Sequence, residues 1–421
     1  MTERYLLRPV TPDEFDTFGE VPIQAFNDAE WPAEALEQER VVFEFDRSLA
    51  AFDGEAIVGT AAAYSFQLTV PGGMARAGGV TFVSVLPSHR RRGILSAMMR
   101  RQLADIAARG EAIAALFASE SGIYGRYGYG CASGQLRLAI RRGEGALSPS
   151  AARGAGTDHG SVRLRAARPT KLRAELAKVY DSAAPHRPGM MARDERWWQS
   201  ILADPEFGRR GMSPLKCVLA GDESGPRGYA LYRTKPDWAE DGLPSGSLSV
   251  RELIAADAAA TAALWTDLLT RDLIGEVVAR LRPVDDPLLD MLADRRRARA
   301  HLSDGLWVRL TDVPAALGQR RYSCAADVVI EVIDEVLPAN AGRWRLSCPG
   351  PADGGTASCE RTTAAADIVL PVAVLGAGYL GGTRLGGLAA AGLVTEQRRG
   401  TLARLSAAMY SDPAPWCPSM F

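Results

Sequence analysis

The sequence offers little that marks a metal site, a membrane segment or a polyanion-binding surface. Its six cysteines, at 131, 217, 324, 348, 359 and 417, include no C-x-x-C pair, and its four histidines stand far apart, so no zinc site is expected. No stretch supplies the ~20 uninterrupted apolar residues that a membrane span needs. The opening "MTERYLLRPV" lacks a charged-then-apolar signal segment, and a cytoplasmic protein with reduced thiols is expected. The 49 basic and 50 acidic side chains nearly cancel, which argues against nucleic acid as a partner and gives weight to local clusters. What remains is ordinary for a soluble globular enzyme or binding protein: 47% apolar and 24% charged residues. A chain of 421 residues has room for about two to four domains.

The first 145 residues read as mixed α/β. "YLLRPV" is a short strand, and Thr11, Pro12 and Glu14 form a capping box that opens a helix. "SLAAFDGEAIVGTAAAYSF" is a hairpin turned at Asp53-Gly54. "VTFVSVLPSHRRRGILSAMMRRQL", residues 80–103, passes from strand to helix, with Ile94, Leu95, Met98, Met99, Leu103 and Ile106 on one apolar face until Gly110. A buried strand, "AIAALFAS", leads to the tyrosine-rich "ESGIYGRYGYG". Residues 146–161 close a Gly/Ala/Ser-rich stretch read as linker. From 162 the same plan repeats in pattern: "SLSVRELIAAD" runs into the helix "AAATAALWTDLLTRDL", but this junction has neither the glycine nor the arginine run. From about 301 a third α+β unit follows, ending in the proline-rich "SDPAPWCPSMF".

The densest positive charge, Arg90, Arg91 and Arg92, lies where strand becomes helix. A helix N-terminus leaves N–H groups unpaired with the positive end of the dipole behind them, forked guanidinium donors add charge, and Gly93 lets a ligand approach the backbone. Such a place binds an anion, and a pyrophosphate is the expected one. The competing reading is a solvated basic helix start, which the dipole disfavours.

"VSVLPSHRRRG" resembles the acetyl-coenzyme A motif of the GCN5-related N-acetyltransferases: Arg or Gln, two residues, Gly, one residue, then Gly or Ala. Arg90 to Gly93 match; Leu95 stands at the last position and departs from it. With the downstream "SESGIYGRYGYG", the chain resembles the Eis (enhanced intracellular survival) family of multi-acetylating aminoglycoside and lysine acetyltransferases. The resemblance implies an α/β (α+β) chain of tandem GNAT-like acetyltransferase domains, catalytic over 1–145 and degenerate over 162–300. A sterol-carrier-protein-like domain over 301–421 would follow, its tail reaching the active site.

It also implies roles. Val83 and Val85 would pair through their backbone with the pantetheine of acetyl-coenzyme A. Arg90, Arg91, Arg92 and Gly93 would hold the pyrophosphate, and Ser119 would lie along the pantetheine arm. Tyr124 would be the acid that protonates the leaving thiolate; a phenol with pKa near 10 stays protonated at neutral pH. Tyr127 and Tyr129 are its rivals, with loop packing as their ordinary role. The terminal carboxylate of Phe421 would be the base; the plain expectation for such a tail is fraying. Phe26 and Asp28, in "AFND", would face the acceptor, and Met420 stands where a pocket acid would be expected, which weakens the case for aminoglycosides. A homohexamer, a trimer of dimers, is implied as well.

Competing functions are an acetyltransferase devoted to protein lysines or to one metabolite, and a non-catalytic protein that binds acetyl-coenzyme A or a lipid. The phosphate loop together with Tyr124 favours an enzyme. "VAVLGAGYLGG", with Gly376, Gly378, Gly381 and Glu396 beyond, has the outline of a dinucleotide fingerprint but too little chain after it for a doubly wound sheet, and a tight turn is expected there. Trp197 and Trp198 read as core, residues 294–300 as a solvated helix face, and His89 as a phosphate contact or turn packing.

Overall fold

The computed structural model describes residues 5–28, 31–151, 162–350 and 355–421. The chain divides into two compact units. One holds residues up to Ser133, Asp304–Pro415 and Met420–Phe421; the other holds Gly134–Ser303 and Trp416–Ser419.

In the first unit, β1 (Leu6–Arg8), β2 (Ser48–Asp53), β3 (Ala56–Val70), β4 (Gly73–Val85), β5 (Ile113–Phe117) and β6 (Gly130–Cys131) share a sheet with a later strand, Leu306–Leu310. The Asp53-Gly54 hairpin forms as expected, with Asp53 opposite Ala56 and Gly54 at φ 64°. Only β4 and β5 run parallel; the other neighbours are antiparallel. Helix α1 (Phe15–Phe26) packs Phe15 and Phe18 into an aromatic cluster with Phe43, Phe45 and Phe82. Helix α2 (Ile94–Ala108) buries Ile94, Met98, Met99, Leu103 and Ile106, and Gly110 at φ 70° follows its end.

The second unit builds a sheet from β7 (Gly134–Arg141), β8 (Arg163–Ala167), β9 (Lys216–Asp222), β10 (Gly225–Lys235), β11 (Gly246–Ala255), β12 (Ile274–Arg282) and β13 (His301–Asp304), in the order β13-β7-β12-β11-β10-β9-β8. Here too a parallel pair lies inside the sheet, β11 with β12. The first sheet, with Leu306–Leu310 named β14, has the order β1-β2-β3-β4-β5-β14-β6. The two plans match position for position: β7 lies antiparallel to β12 as β14 lies antiparallel to β5.

That correspondence departs from divisions at 145 and 300. Gly134–Arg141 pairs in the second sheet and Leu306–Leu310 in the first, so each sheet takes a strand from beyond the segment that builds the rest of it. Leu306, Val308 and Leu310 are fully buried there; alternation predicts a half-buried strand but does not say which sheet it joins. Of the linker at 146–161, residues 152–161 lie outside the described residues, while Leu147 bridges Leu292 and packs on the second unit's core.

A third sheet, ordered β17-β16-β15-β18-β19, is made by β15 (Ala326–Ile333), β16 (Gly342–Cys348), β17 (Ser358–Arg361), β18 (Ile368–Pro371) and β19 (Thr395–Glu396). The glycine-rich segment after β18 is a helix, Val372–Tyr379, and not the tight turn expected. Glycines on both sides allow its close approach within the first unit: a Cβ on Gly376 of the helix would lie 2.2 Å from the Val308 carbonyl oxygen, and one on Gly130 of β6 would lie 1.9 Å from that of Ala373. Trp197 and Trp198 are core, as read. Residues 294–300 hold a short 3-10 turn, Arg295–Ala298, rather than a longer helix; its three arginines are solvated.

Among the described residues no helix is long and apolar enough to cross a membrane, and no group of three potential ligands is placed to hold a metal ion.

Candidate active site

The site begins with an irregularity in β4. Thr81 pairs with Ala62 and Ser84 with Thr60, so Phe82 and Val83 together face the single residue Ala61. Phe82 takes φ 53°, in the left-handed region. The fully buried Thr60 hydroxyl fixes this bulge, donating to the Phe82 carbonyl at 2.7 Å and lying 2.6 Å from Ser84 Oγ. A bulge bends its strand and re-aims the residues beyond it. Parallel pairing with β5 accordingly covers only Ala77–Gly79 against Ile113–Ala115. Past that point the facing edges of β4 and β5 border a cleft of about 430 Å³, lined by Val83, Ser84 and Val85 on one side and Ser119 and Glu120 on the other.

The floor of the cleft is the start of α2. Gly93 precedes the helix at φ 82°, and nothing lies within 4 Å of where its Cβ would be. It contributes no capping side chain, so the first-turn N–H groups at Ile94, Leu95 and Ser96, all cleft-lining residues, are left for an anion. Leu95, the departure from the motif, is half-buried and faces the cleft.

The three arginines differ. Arg91, at φ 63°, lines the cleft. Arg90 also lines it, yet its guanidinium donates to the Ala25 carbonyl at 2.8 Å and to Val85 O at 3.4 Å, tying the end of α1 to the end of β4. Arg92 is not among the lining residues and reaches the Tyr5 hydroxyl at 3.3 Å. His89 lines the cleft while held by Ser88 Oγ at 2.9 Å and Asp53 at 3.3 Å.

Tyr124 ends the short helix α3 (Ser121–Tyr124) and is buried. Burial pushes its phenol up, a hydrogen bond with Ser119 pulls it down, and the neighbouring Glu120 and Tyr127 raise it further. Tyr127 also lines the cleft, but its hydroxyl is 3.1 Å from Ser96 Oγ in the first turn of α2. Tyr129 is enclosed, edge-on to Tyr124 at 6.0 Å between ring centroids, and does not line the cleft. The rivals therefore separate by place: Tyr127 at the first turn of α2, Tyr124 beside Ser119.

Phe26 lines the cleft; Asp28 does not, and accepts from the Trp31 indole at 3.4 Å. Phe421 is half-buried, its ring 4.7 Å from Phe66 and 5.5 Å from Phe117 at the end of β5. The described geometry thus gathers Phe26, Val83, Val85, Arg90, Arg91, Gly93, Ser119 and Tyr124 around one cleft. The lining residues that sequence reasoning does not single out include Ser96 and Arg126. Arg126 carries a signal, a cation inside the glycine-tyrosine loop. Ser96 carries none, since a serine early in a helix is ordinary.

The corresponding place in the second unit is filled by protein. Asp257 caps helix α4 (Ala258–Leu269), accepting from Ala260 N at 2.9 Å and from Arg227 at 2.8 Å, so a carboxylate of the chain already occupies the anion position. Beyond Val250, where pairing of β11 with β12 ends, Arg282 donates to Leu253 O at 2.9 Å. Buried Glu252 takes a bidentate pair from Arg193 at 3.0 and 2.5 Å and a bond from Tyr229 at 2.6 Å. Trp416 donates to Leu281 O, and Ser419 accepts from Arg193 at 2.7 Å.

Comparison with known proteins identifies the domain types. Models of the acetyltransferase (GNAT) domain match residues 7–132 and 189–310, and a sterol carrier protein domain model matches 313–418. An uncharacterized N-acetyltransferase of Streptomyces coelicolor is 46% identical over 97% of this chain and 98% of its own. N-acetyltransferase Eis of Mycobacterium tuberculosis is 38% identical over 85% of this chain and 84% of its own. The crystal structure of Eis1 from Mycobacterium abscessus superposes with a TM-score of 0.82 at 35% identity, covering 99% of this chain and 100% of that one. An acetyltransferase sheet with an open cleft, a second one closed by its own side chains and a sterol-carrier-type third domain are the parts of one enzyme architecture: the chain is an N-acetyltransferase of the Eis family.

Proposed function

We propose that the β4–β5 cleft binds acetyl-coenzyme A and that its acetyl group passes directly to a primary amine within a ternary complex. The amine would be an aminoglycoside, acetylated at more than one position, or a lysine side chain. The observation that carries this reading is the bulge at Phe82–Val83 beside the open space at Gly93: one exposes strand backbone to an amide-bearing arm, the other exposes helix N–H groups to a pyrophosphate.

Val83 and Val85 pair with the pantetheine amides. Arg91 and the N–H groups after Gly93 hold the phosphates, Arg90 and Arg92 add charge at the edge, and Ser119 lies along the arm. An ammonium acceptor first gives a proton to the Phe421 carboxylate, which passes it on to water, and the freed lone pair attacks the thioester carbon. Collapse of the tetrahedral oxyanion breaks the C–S bond, the thiolate takes the Tyr124 proton, and the new amide nitrogen loses its extra proton through the carboxylate to water. Water restores the phenol, so each turnover releases one proton. A phenol raised by burial suits an acid that must stay protonated while the amine is neutral. Packing of Phe421 on Phe117, two residues before Ser119, supports a terminal carboxylate near the reacting centre. The same family reading carries a cytoplasmic homohexamer, a trimer of dimers, which light scattering of the untagged protein tests.

Initial rates with both substrates varied test the mechanism: intersecting double-reciprocal lines fit a ternary complex, and parallel lines with an isolable acetyl-enzyme contradict it. Mass spectrometry of an aminoglycoside and a lysine peptide after reaction counts the acetyl groups on each.

A further inference from the structure

The loop that presents Tyr124 rests on a charge pair supplied by residues from far along the chain. Arg309, on β14, is fully enclosed. Its Nε–H donates to the Tyr127 carbonyl at 2.8 Å, Nη1 donates to Leu310 O at 2.6 Å, and Nη2 donates to both oxygens of Asp334 at 2.8 and 2.6 Å. Asp334, also enclosed, directly follows β15 of the third sheet. Its carboxylate further accepts from Val336 N, Leu337 N and Asn340 Nδ2 at 3.0–3.1 Å. The loop presses onto this guanidinium. A Cβ on Gly128, which sits at φ 84°, would lie 2.6 Å from Arg309 Nε and 2.8 Å from Val372 Cγ1. The loop closes on itself through Tyr129 N to Tyr124 O at 3.3 Å and Gly128 N to Gly125 O at 3.0 Å.

A buried ion pair is a poor means of adding stability, because desolvation offsets the attraction and apolar replacements of similar volume often do as well. What apolar side chains cannot supply is direction. A guanidinium held at one nitrogen by both oxygens of a carboxylate and at a second by a backbone carbonyl presents its third donor along a fixed line, and here that line ends on the carbonyl three residues after Tyr124.

We propose that Arg309 and Asp334 are positioning residues for acetyl transfer: the third domain, through Asp334, fixes Arg309, and Arg309 fixes the loop that carries the acid. This rests on the reading of Tyr124 as the acid and gives the sterol-carrier-type domain a part in catalysis that requires no lipid.

The test is a neutral double swap, Arg309→Met with Asp334→Asn, which removes both charges and keeps each side chain close to its original size, measured alone and combined with Tyr124→Phe in the full chain. The swap is expected to keep its circular dichroism spectrum and its KM for acetyl-coenzyme A, and to lower kcat by about 10-fold or more. In the Tyr124→Phe background it is expected to cost nothing further, because both changes disable the same step. An unchanged kcat in the folded double swap overturns the proposal, as do losses that multiply in the combined variant. If Tyr124→Phe alone retains full kcat, the acid reading itself fails, a result distinct from either. If the double swap does not fold, Arg309→Lys carries the same test. It keeps the charge beside Asp334 but lacks the fork that reaches Tyr127, so kcat should fall with Tyr124 present and not fall further without it.

Discussion

Thr60 and Ser84, on neighbouring strands, lie 2.6 Å apart at their hydroxyls beside the bulge that opens the cleft, and Thr60 also donates to the Phe82 carbonyl. Both side chains are buried. Thr60→Val keeps the shape and deletes the hydroxyl, leaving Ser84 and Phe82 O short of a partner. A stability loss of about 1–3 kcal/mol is expected in urea unfolding, together with a raised KM for acetyl-coenzyme A. Loss of stability with an unchanged KM would separate the bulge from binding.

Two glycines should respond in opposite ways. Gly93→Ala meets no neighbour but must hold φ 82°, so it should fold with a penalty of about 1 kcal/mol and bind acetyl-coenzyme A more weakly. Gly130→Ala would drive a Cβ against the Ala373 carbonyl oxygen. That is backbone that cannot swing aside, so at least about 3 kcal/mol and loss of the soluble fold are expected. Thermal melts and calorimetric titration with coenzyme A distinguish the two.

The pH profile follows from the direction of the Tyr124 shift. Burial raises the phenol above its ordinary value, near 10. The protonated, proton-donating form therefore persists through that pH, and loss of the acid begins only above it. Between pH 7 and about 9, where the acceptor arrives as an ammonium and gives its proton to the Phe421 carboxylate, kcat/KM should stay level, with no descending limb. Tyr124→Phe should lower kcat about 100-fold or more across this range. A fall in wild-type rate below pH 9 would point to a different acid.

Semisynthetic amidation of the C-terminus leaves the Phe421 ring free to pack on Phe66 and Phe117 but removes the charge. It should lower kcat/KM for the amine by about 10-fold or more and leave coenzyme A affinity unchanged. Equal activity in the amide would exclude the carboxylate as base.

The second sheet repeats the first, but Asp257 caps its helix and Arg282 bridges its strands to Leu253 O. Calorimetry should therefore find one coenzyme A per chain, and Gly93→Ala should weaken that single site without revealing another.

Much of this was legible in the sequence because local chemistry carried it. The Asp53-Gly54 hairpin, the apolar face of α2 and the arginine-glycine junction depend on residues adjacent in the chain. The empty second junction was visible for the same reason, by the absence of Gly and Arg before Ala258. Features that depend on distant pairing were not legible. Nothing in "GLWVRL" says that β14 joins the first sheet or that its arginine ends under Tyr127, since the donor and acceptor are 182 positions apart. The glycines at 376 and 378 advertised a turn, whereas close packing of a helix on β14 is what Gly376 permits. Arg90 announced charge but not that its guanidinium is bonded to the Ala25 carbonyl.

Acetyl transfer at this cleft is tested most directly by thiol release from acetyl-coenzyme A, using the untagged protein with an aminoglycoside, a lysine peptide and a polyamine in turn. Amine-dependent release that saturates in both substrates and collapses in Tyr124→Phe is the predicted result. Tight coenzyme A binding without release for any of the amines would contradict it and leave a binding protein in place of an enzyme acting on primary amines.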